Sequence, residues 1–139
     1  MGSKIRGNAV LLLDTNVLIR LSEVRLPTDE IALSAIVYAE LRLGVERTAD
    51  PATRRARLEE LALVSRLFDS ACLPFDRAAA DGYAHLAARV IQTRPAHARS
   101  KDVMLAGHAY AIGAKLMTFN AKDFELVADQ VEIVVPTLR

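Results

Sequence analysis

Four acidic residues stand at places where an apolar pattern breaks, and these are the side chains of this sequence that could do chemistry. Asp14 directly follows the aliphatic run Val10-Leu11-Leu12-Leu13. A run of that kind reads as a strand buried on both faces, as in a parallel sheet. Open α/β sheets hold their ligands beyond the carboxyl ends of such strands, where Asp14 would stand. Glu40 has Ile36, Val37, Leu43 and Gly44 as helical neighbours, so its carboxylate is expected among apolar groups. Burying an ionised carboxylate there costs several kcal/mol unless an arginine such as Arg42 or Arg47, or a cation, compensates. Asp102 opens a helix after Ser100, a position the helix dipole favours for any acid. The basic surroundings (Arg94, His97, Arg99, Lys101) keep it ionised. Asp123 lies in Thr118-Phe119-Asn120-Ala121-Lys122-Asp123-Phe124, and either reaches the same cavity or caps a short turn.

Each acid alone has a plain structural explanation, since Asp14 too can simply cap the helix after it. Together they change the reading. Asp14 follows a strand, Glu40 lies on a helix that follows one, and Asp102 opens a helix that precedes one, so all three can converge on one sheet edge. Carboxylates sharing a pocket repel one another until a proton or a cation neutralises them. With Cys72 as the one cysteine, the ligands are oxygens and the fitting cation is hard, Mg²⁺ or Mn²⁺. An acidic, metal-loaded pocket suits hydrolysis of a phosphodiester.

The elements that must position these acids alternate along the chain. After the first strand come a short helix over 17–21, a loop over 23–30 and a strand over 31–33. Ser34 caps a helix to Glu46, and Asp50-Pro51 opens another whose apolar face carries Leu58, Leu61, Val64 and Phe68. A strand over 72–75 precedes a helix capped by Asp76, with Ala79, Tyr83, Leu86, Ala87, Val90 and Ile91 as its buried stripe. A basic loop over 93–99 leads to Ser100, the cap of a helix over 101–112 that Gly113 stops. Strands over 116–119 and 132–135 finish the chain. Alternation of this kind predicts an α/β fold: a mostly parallel sheet of about five strands flanked by helices in three layers.

Length and composition bound the rest. The 139 residues, 52% hydrophobic and 25% charged, suit one domain over 1–139, with 1–8 a flexible or appended N-terminus. A net charge of +1 excludes a generally basic nucleic-acid coat but allows a local patch. No apolar run is long enough to span a membrane, and a single cysteine with no signal segment points to the cytoplasm. Arg94, Arg99 and Lys101 border Asp102, and contacts from them to RNA phosphates follow as a hypothesis. His97 and His108 are weak candidates for a general base. His85 reads as structural and Phe124 as core.

The motifs Leu13-Asp14-Thr15-Asn16, Ser34 to Val45 around Glu40, Lys101-Asp102-Val103-Met104-Leu105-Ala106-Gly107-His108-Ala109, and Thr118 to Phe124 occur in that order. The chain thereby resembles PIN domains, and among them the VapC toxins of prokaryotic toxin–antitoxin pairs. That resemblance implies a three-layer PIN fold and an Mg²⁺- or Mn²⁺-dependent endoribonuclease whose acidic residues match Asp14, Glu40 and Asp102. Asp14 and Asp102 would hold the metal, with Glu40 as ligand or water-orienting base. Many members carry Asp where this chain has Asn120, so Asp123 or Asn120 completes the site and the number of metals stays open. Thr15, Asn16 and Thr118 would orient carboxylates and waters. The resemblance further implies attack by water, 5′-phosphate products, a small VapB-like antitoxin partner and a homodimer. Two other readings fit the residues: a degenerate PIN scaffold that only binds RNA or protein, and an aspartyl-phosphate phosphatase. The latter usually needs a second acid two positions after the nucleophile, where this chain has Asn16.

Overall fold

The computed structural model describes residues 9–139; the expectation for 1–8 lies outside that range. At the centre is β1 (Val10–Leu13), whose last three residues are fully buried, as an aliphatic run covered on both faces must be. It pairs in parallel with β3 (Glu30–Ser34) on one side and β5 (Lys115–Met117) on the other, so Leu12 lies between Ala32 and Leu116. With β4 (Cys72–Leu73) beyond β3 and β6 (Ile133–Val134) beyond β5, the order is β4-β3-β1-β5-β6, all parallel. The chain works outward from β1 to β3 and β4, then returns to β5 and β6 on the opposite side. The direction of winding reverses between β1 and β5, and their carboxyl ends open the crevice where α/β sheets bind ligands.

The helices start where their caps dictate. α1 (Thr15–Ile19) begins at Thr15 rather than Val17, because Asp14 itself accepts from the Thr15 amide. Ser34 caps α2 (Ala35–Glu46), Asp50 caps α3 (Pro51–Leu67) with Pro51 in its first turn, and Asp76 caps α4 (Arg77–Thr93). Ser100 caps α5 (Lys101–Ile112), and Gly113 ends it in the left-handed conformation, φ 67°. The buried stripe of α4 is Ala79, Gly82, Leu86 and Val90. Ile91, expected in that stripe, is 51% exposed, and Leu58 on α3 is likewise exposed. Gly82 takes the inward place instead, because α4 and α5 approach too closely for a side chain. A Cβ on Gly82 would stand 2.3 Å from the Gly107 carbonyl oxygen, and one on Gly107 2.4 Å from the Tyr83 Cα.

The 23–30 segment is not all loop. Val24–Arg25 forms β2, which pairs antiparallel with β7 (Thr137–Leu138), and no local signal marks a two-residue strand whose partner lies at the other end of the chain. The strand expected to reach Phe119 ends at Met117, where the Thr118 side chain turns to other work. Phe124 is core, within the 3₁₀ segment Ala121–Val127. Among the described residues no helix is long and apolar enough to cross a membrane.

Candidate active site

Asp14 is 3% exposed, at the head of the crevice. Its Oδ1 accepts from the Thr15 amide at 2.8 Å. Its Oδ2 accepts from the Thr118 hydroxyl at 2.8 Å and, more weakly, from Asn16 Nδ2 at 3.4 Å. Asn16 Nδ2 is also 3.3 Å from Thr118 Oγ1, while Asn16 Oδ1 accepts from the Phe119 amide and Thr118 Oγ1 from the Asn120 amide. The ends of β1 and β5 are thus laced together, and the Asp14 carboxylate is held in one orientation. The Thr15 amide, Asn16 and Thr118 are its hydrogen-bond partners.

Glu40 comes in from α2. It is not immersed among apolar groups as expected: its side chain is 37% exposed. The face carrying Gly44 turns toward α1 and α3, and Leu43 is itself exposed, so the apolar spacing did not mean burial. Nor does it pair with an arginine, since Arg42 bridges to Glu46. Instead Glu40 Oε1 accepts a short hydrogen bond from the Thr15 hydroxyl and a second from Lys101 Nζ at 3.0 Å.

Asp102 enters from the first turn of α5. Burial raises its carboxyl above the ordinary value; the Lys101 charge pulls it down again, while Asp14 and Asp123 push it further up. Asp123 is therefore a neighbour of Asp102 in charge terms, although it is exposed on its 3₁₀ turn and its carbonyl lies 3.3 Å from His97 Nε2. Asn120 is exposed beside them and places no carboxylate in the pocket.

The three carboxylates converge on one cation, and it belongs to the chain. Lys101 Nζ is 3.0 Å from Glu40 Oε1, 3.5 Å from Asp102 Oδ1 and 3.6 Å from Asp14 Oδ1. Burial disfavours its charge, but the hydrogen bond to Glu40 and the attraction of Asp14, Glu40 and Asp102 outweigh that and hold the ammonium above its ordinary pKa. Sequence reading placed Lys101 among phosphate contacts beside Arg94 and Arg99. Those two arginines are exposed, whereas Lys101 turns inward. One signal could have shown it: a lysine in the first turn of a helix opposes the macrodipole, so something else must hold it there.

The donor set fits a hard divalent ion, because carboxylate oxygens from three elements already enclose a positive charge. Among the described residues no group of three or more His, Cys, Asp or Glu side chains is arranged to hold a metal ion; the Lys101 ammonium lies where the three carboxylates meet. His108 is no general base here: it is buried, with Nδ1 2.8 Å from Ser34 Oγ and its ring edge-on to Phe75. His85 stacks on Tyr110, away from this crevice. Sequence reading also missed Arg20, whose guanidinium lies 4.3 Å from the Phe119 ring centre and pairs with Glu23. Beside Thr15 and Glu40 runs an open groove of about 220 Å³ lined by Ile19, Leu43, Arg47, Arg57 and Glu60 among others.

Residues 11–130 match the PIN domain family. A curated relative, the Ribonuclease VapC of Rickettsia bellii (strain RML369-C), is 27% identical over 132 residues, covering 91% of this chain and 96% of its own. Among solved structures, a member of the VapBC family of toxin–antitoxin systems, VapBC-5 from Mycobacterium tuberculosis, has a TM-score of 0.72 at 26% identity, covering 91% of this chain and 97% of its own. FitAcB from Neisseria gonorrhoeae is similar at a TM-score of 0.69 and 27% identity, over 89% and 96% of the two chains.

Proposed function

The chain belongs to the PIN domain family, and on that premise we propose that it is a divalent-metal-dependent endoribonuclease, the toxin of a VapC-type toxin–antitoxin pair. The observation that carries this reading is the meeting of Asp14, Glu40 and Asp102 around a single positive charge. The curated relative named a ribonuclease, alike over nearly the full length of both chains, supports the substrate class.

Asp14 and Asp102 would hold Mg²⁺ or Mn²⁺. When bound, such an ion supplies Lewis acidity, lowering the pKa of water and offsetting charge on the phosphate. The chain supplies the orientation. Thr118 and the Thr15 amide fix the two oxygens of Asp14, so that ligand needs little reorganisation. Thr15 engages Oε1 of Glu40, which leaves Oε2 to orient an attacking water and take its proton. Asp123 adds negative charge next to Asp102, and Asn120 contributes a neutral edge. Attack by water leaves a 5′-phosphate and a 3′-hydroxyl. Arg94 and Arg99, exposed on the approach to α5, would contact phosphates of the RNA.

The antitoxin would lie along the groove beside Glu40, where Ile19 and Leu43 offer apolar contact and Arg47 and Arg57 offer charge. An antitoxin as partner follows the similar structure from the VapBC family of toxin–antitoxin systems, and its seat on this groove follows from the lining; a homodimer and a cytoplasmic location are part of the same proposal. A phosphatase acting through an aspartyl-phosphate fits less well, because Asn16 stands where its second acid would be and is spent tying Thr118 and Phe119 to Asp14. A binding scaffold without catalysis is favoured by one feature, the amide of Asn120 in place of an acid.

The test is cleavage of single-stranded RNA by the full chain with Mg²⁺ or Mn²⁺, with chelator, and with Asp14→Asn. We expect metal-dependent fragments carrying 5′-phosphates, lost in Asp14→Asn while its far-UV CD stays unchanged. Cleavage that survives Asp14→Asn sinks the mechanism. RNA binding without cleavage at any metal concentration supports the scaffold reading.

A further inference from the structure

We propose that the Lys101 ammonium is a built-in competitor for the divalent cation: it occupies the charge centre of the Asp14, Glu40 and Asp102 carboxylates, and metal loads only by displacing it. The inference rests on the metal-dependent reading above and adds to it a residue that sets how much metal the site needs.

Three observations carry it. The ammonium lies 3.0–3.6 Å from one oxygen of each carboxylate, so it stands where a cation shared by the three would stand. Two positive species cannot share that centre, because like charges a few ångströms apart repel strongly at the effective dielectric of a protein surface and a divalent ion doubles that repulsion. Lys101 also sits in the first turn of α5, where the helix dipole opposes a cation, so the carboxylates are what hold the ammonium there. The other two lysines of the described chain behave differently: Lys115 pairs with Asp29 and Lys122 is exposed.

Displacement requires no backbone movement. The Lys101 side chain is already one-third exposed, and its four-carbon stem can swing the ammonium outward around χ angles. Outside the pocket it remains beside Asp102 and near Arg99, where its three donors can meet a phosphate oxygen of the RNA. The residue would thus exchange carboxylates for phosphate as the site loads. In the metal-free protein the ammonium offsets part of the repulsion among the three carboxylates.

The experiment is Mn²⁺ binding to the metal-free full chain, followed by calorimetry and by EPR of free Mn²⁺, for wild type, Lys101→Met, Lys101→Gln and Asp14→Asn. Lys101→Gln keeps a neutral donor for Glu40 Oε1 and covers the case in which Lys101→Met fails to fold without metal. We expect both lysine variants to bind Mn²⁺ about tenfold or more tightly than wild type, and Mn²⁺ to raise their Tm by more than it raises that of wild type. Equal or weaker binding in the variants overturns the proposal. Asp14→Asn separates the two readings: if it binds Mn²⁺ as well as wild type, the assignment of the metal site itself is wrong, whatever Lys101 does. In the wild-type chain with ¹³C-labelled lysine, titration with Mg²⁺ should move the Lys101 ε-methylene resonance toward that of exposed Lys122. A resonance that stays in place as Mg²⁺ saturates also overturns the proposal.

Discussion

Thr118 has no exposed surface, yet its hydroxyl serves Asp14, Asn16 and the Asn120 amide at once. Thr118→Val keeps the shape and removes these bonds, one of them to a charged group. We expect a loss of about 2 kcal/mol, read by urea unfolding at neutral pH, and a roughly 10- to 100-fold fall in cleavage because Asp14 loses its orientation. His108 gives a second prediction. Burial pushes its imidazole below the ordinary value of 6.5, with Asp76 opposing that only in part. The unfolded chain therefore takes up a proton that the folded chain refuses. Stability is full above that value and declines as pH falls through it. Asp102 works in the opposite sense in a more acidic window: its raised carboxyl binds the proton better folded than unfolded, so its protonation stabilises the metal-free chain. His108→Leu should flatten the stability profile between about pH 7.5 and 5.5, measured by unfolding midpoints; a profile unchanged by the substitution assigns that slope to other groups. The acids were legible at this scale because each interrupts an apolar pattern. The partner of each was not, since spacing along the chain says nothing about which oxygen meets which nitrogen. Glu40 shows the limit: its apolar neighbours suggested burial beside an arginine, and it lies half open beside a lysine from another helix.

At the scale of elements, the caps were the most readable feature. Asp50, Asp76 and Ser100 each accept from an amide three residues on, and Ser34 from one two residues on, so the starts of α2 through α5 follow from short-range chemistry. The contact between α4 and α5 was not readable, because it depends on two glycines 25 positions apart meeting face to face. Gly107→Ala puts a Cβ 2.4–2.5 Å from the backbone of Tyr83, which no side-chain rotation relieves. We expect destabilisation on the order of 3 kcal/mol by urea unfolding. Cleavage at temperatures where the variant is still folded should fall as well, because α5 carries Lys101 and Asp102 and has to shift. Wild-type stability in Gly107→Ala would mean that the helices part at no cost, contrary to their packing.

For the whole molecule, the order β4-β3-β1-β5-β6 decides where function can lie, since the winding reverses beside Asp14 and Thr118. The balanced net charge confines phosphate attraction to a local patch. Neutralising Arg94 and Arg99 together should weaken binding of a single-stranded RNA and reduce the slope of log K against log salt by about 1.4, or roughly 0.7 per lost phosphate contact. An unchanged slope in fluorescence anisotropy titrations would leave those arginines a solubilising role only.

Periodicity and local hydrogen-bonding chemistry act over a few residues, and this range is what the sequence alone determined: the central strand, the capped helices, the α/β class, and the three acids, Asp14 and Asp102 at element ends and Glu40 within a helix. Contacts between distant segments decided the rest. The β2–β7 pair, the glycine-lined seam of α4 and α5, and the inward turn of Lys101 each depend on groups that only folding brings within a few ångströms of one another. Electrostatic and steric energies are set by those separations in space, and no pattern along the chain encodes them directly.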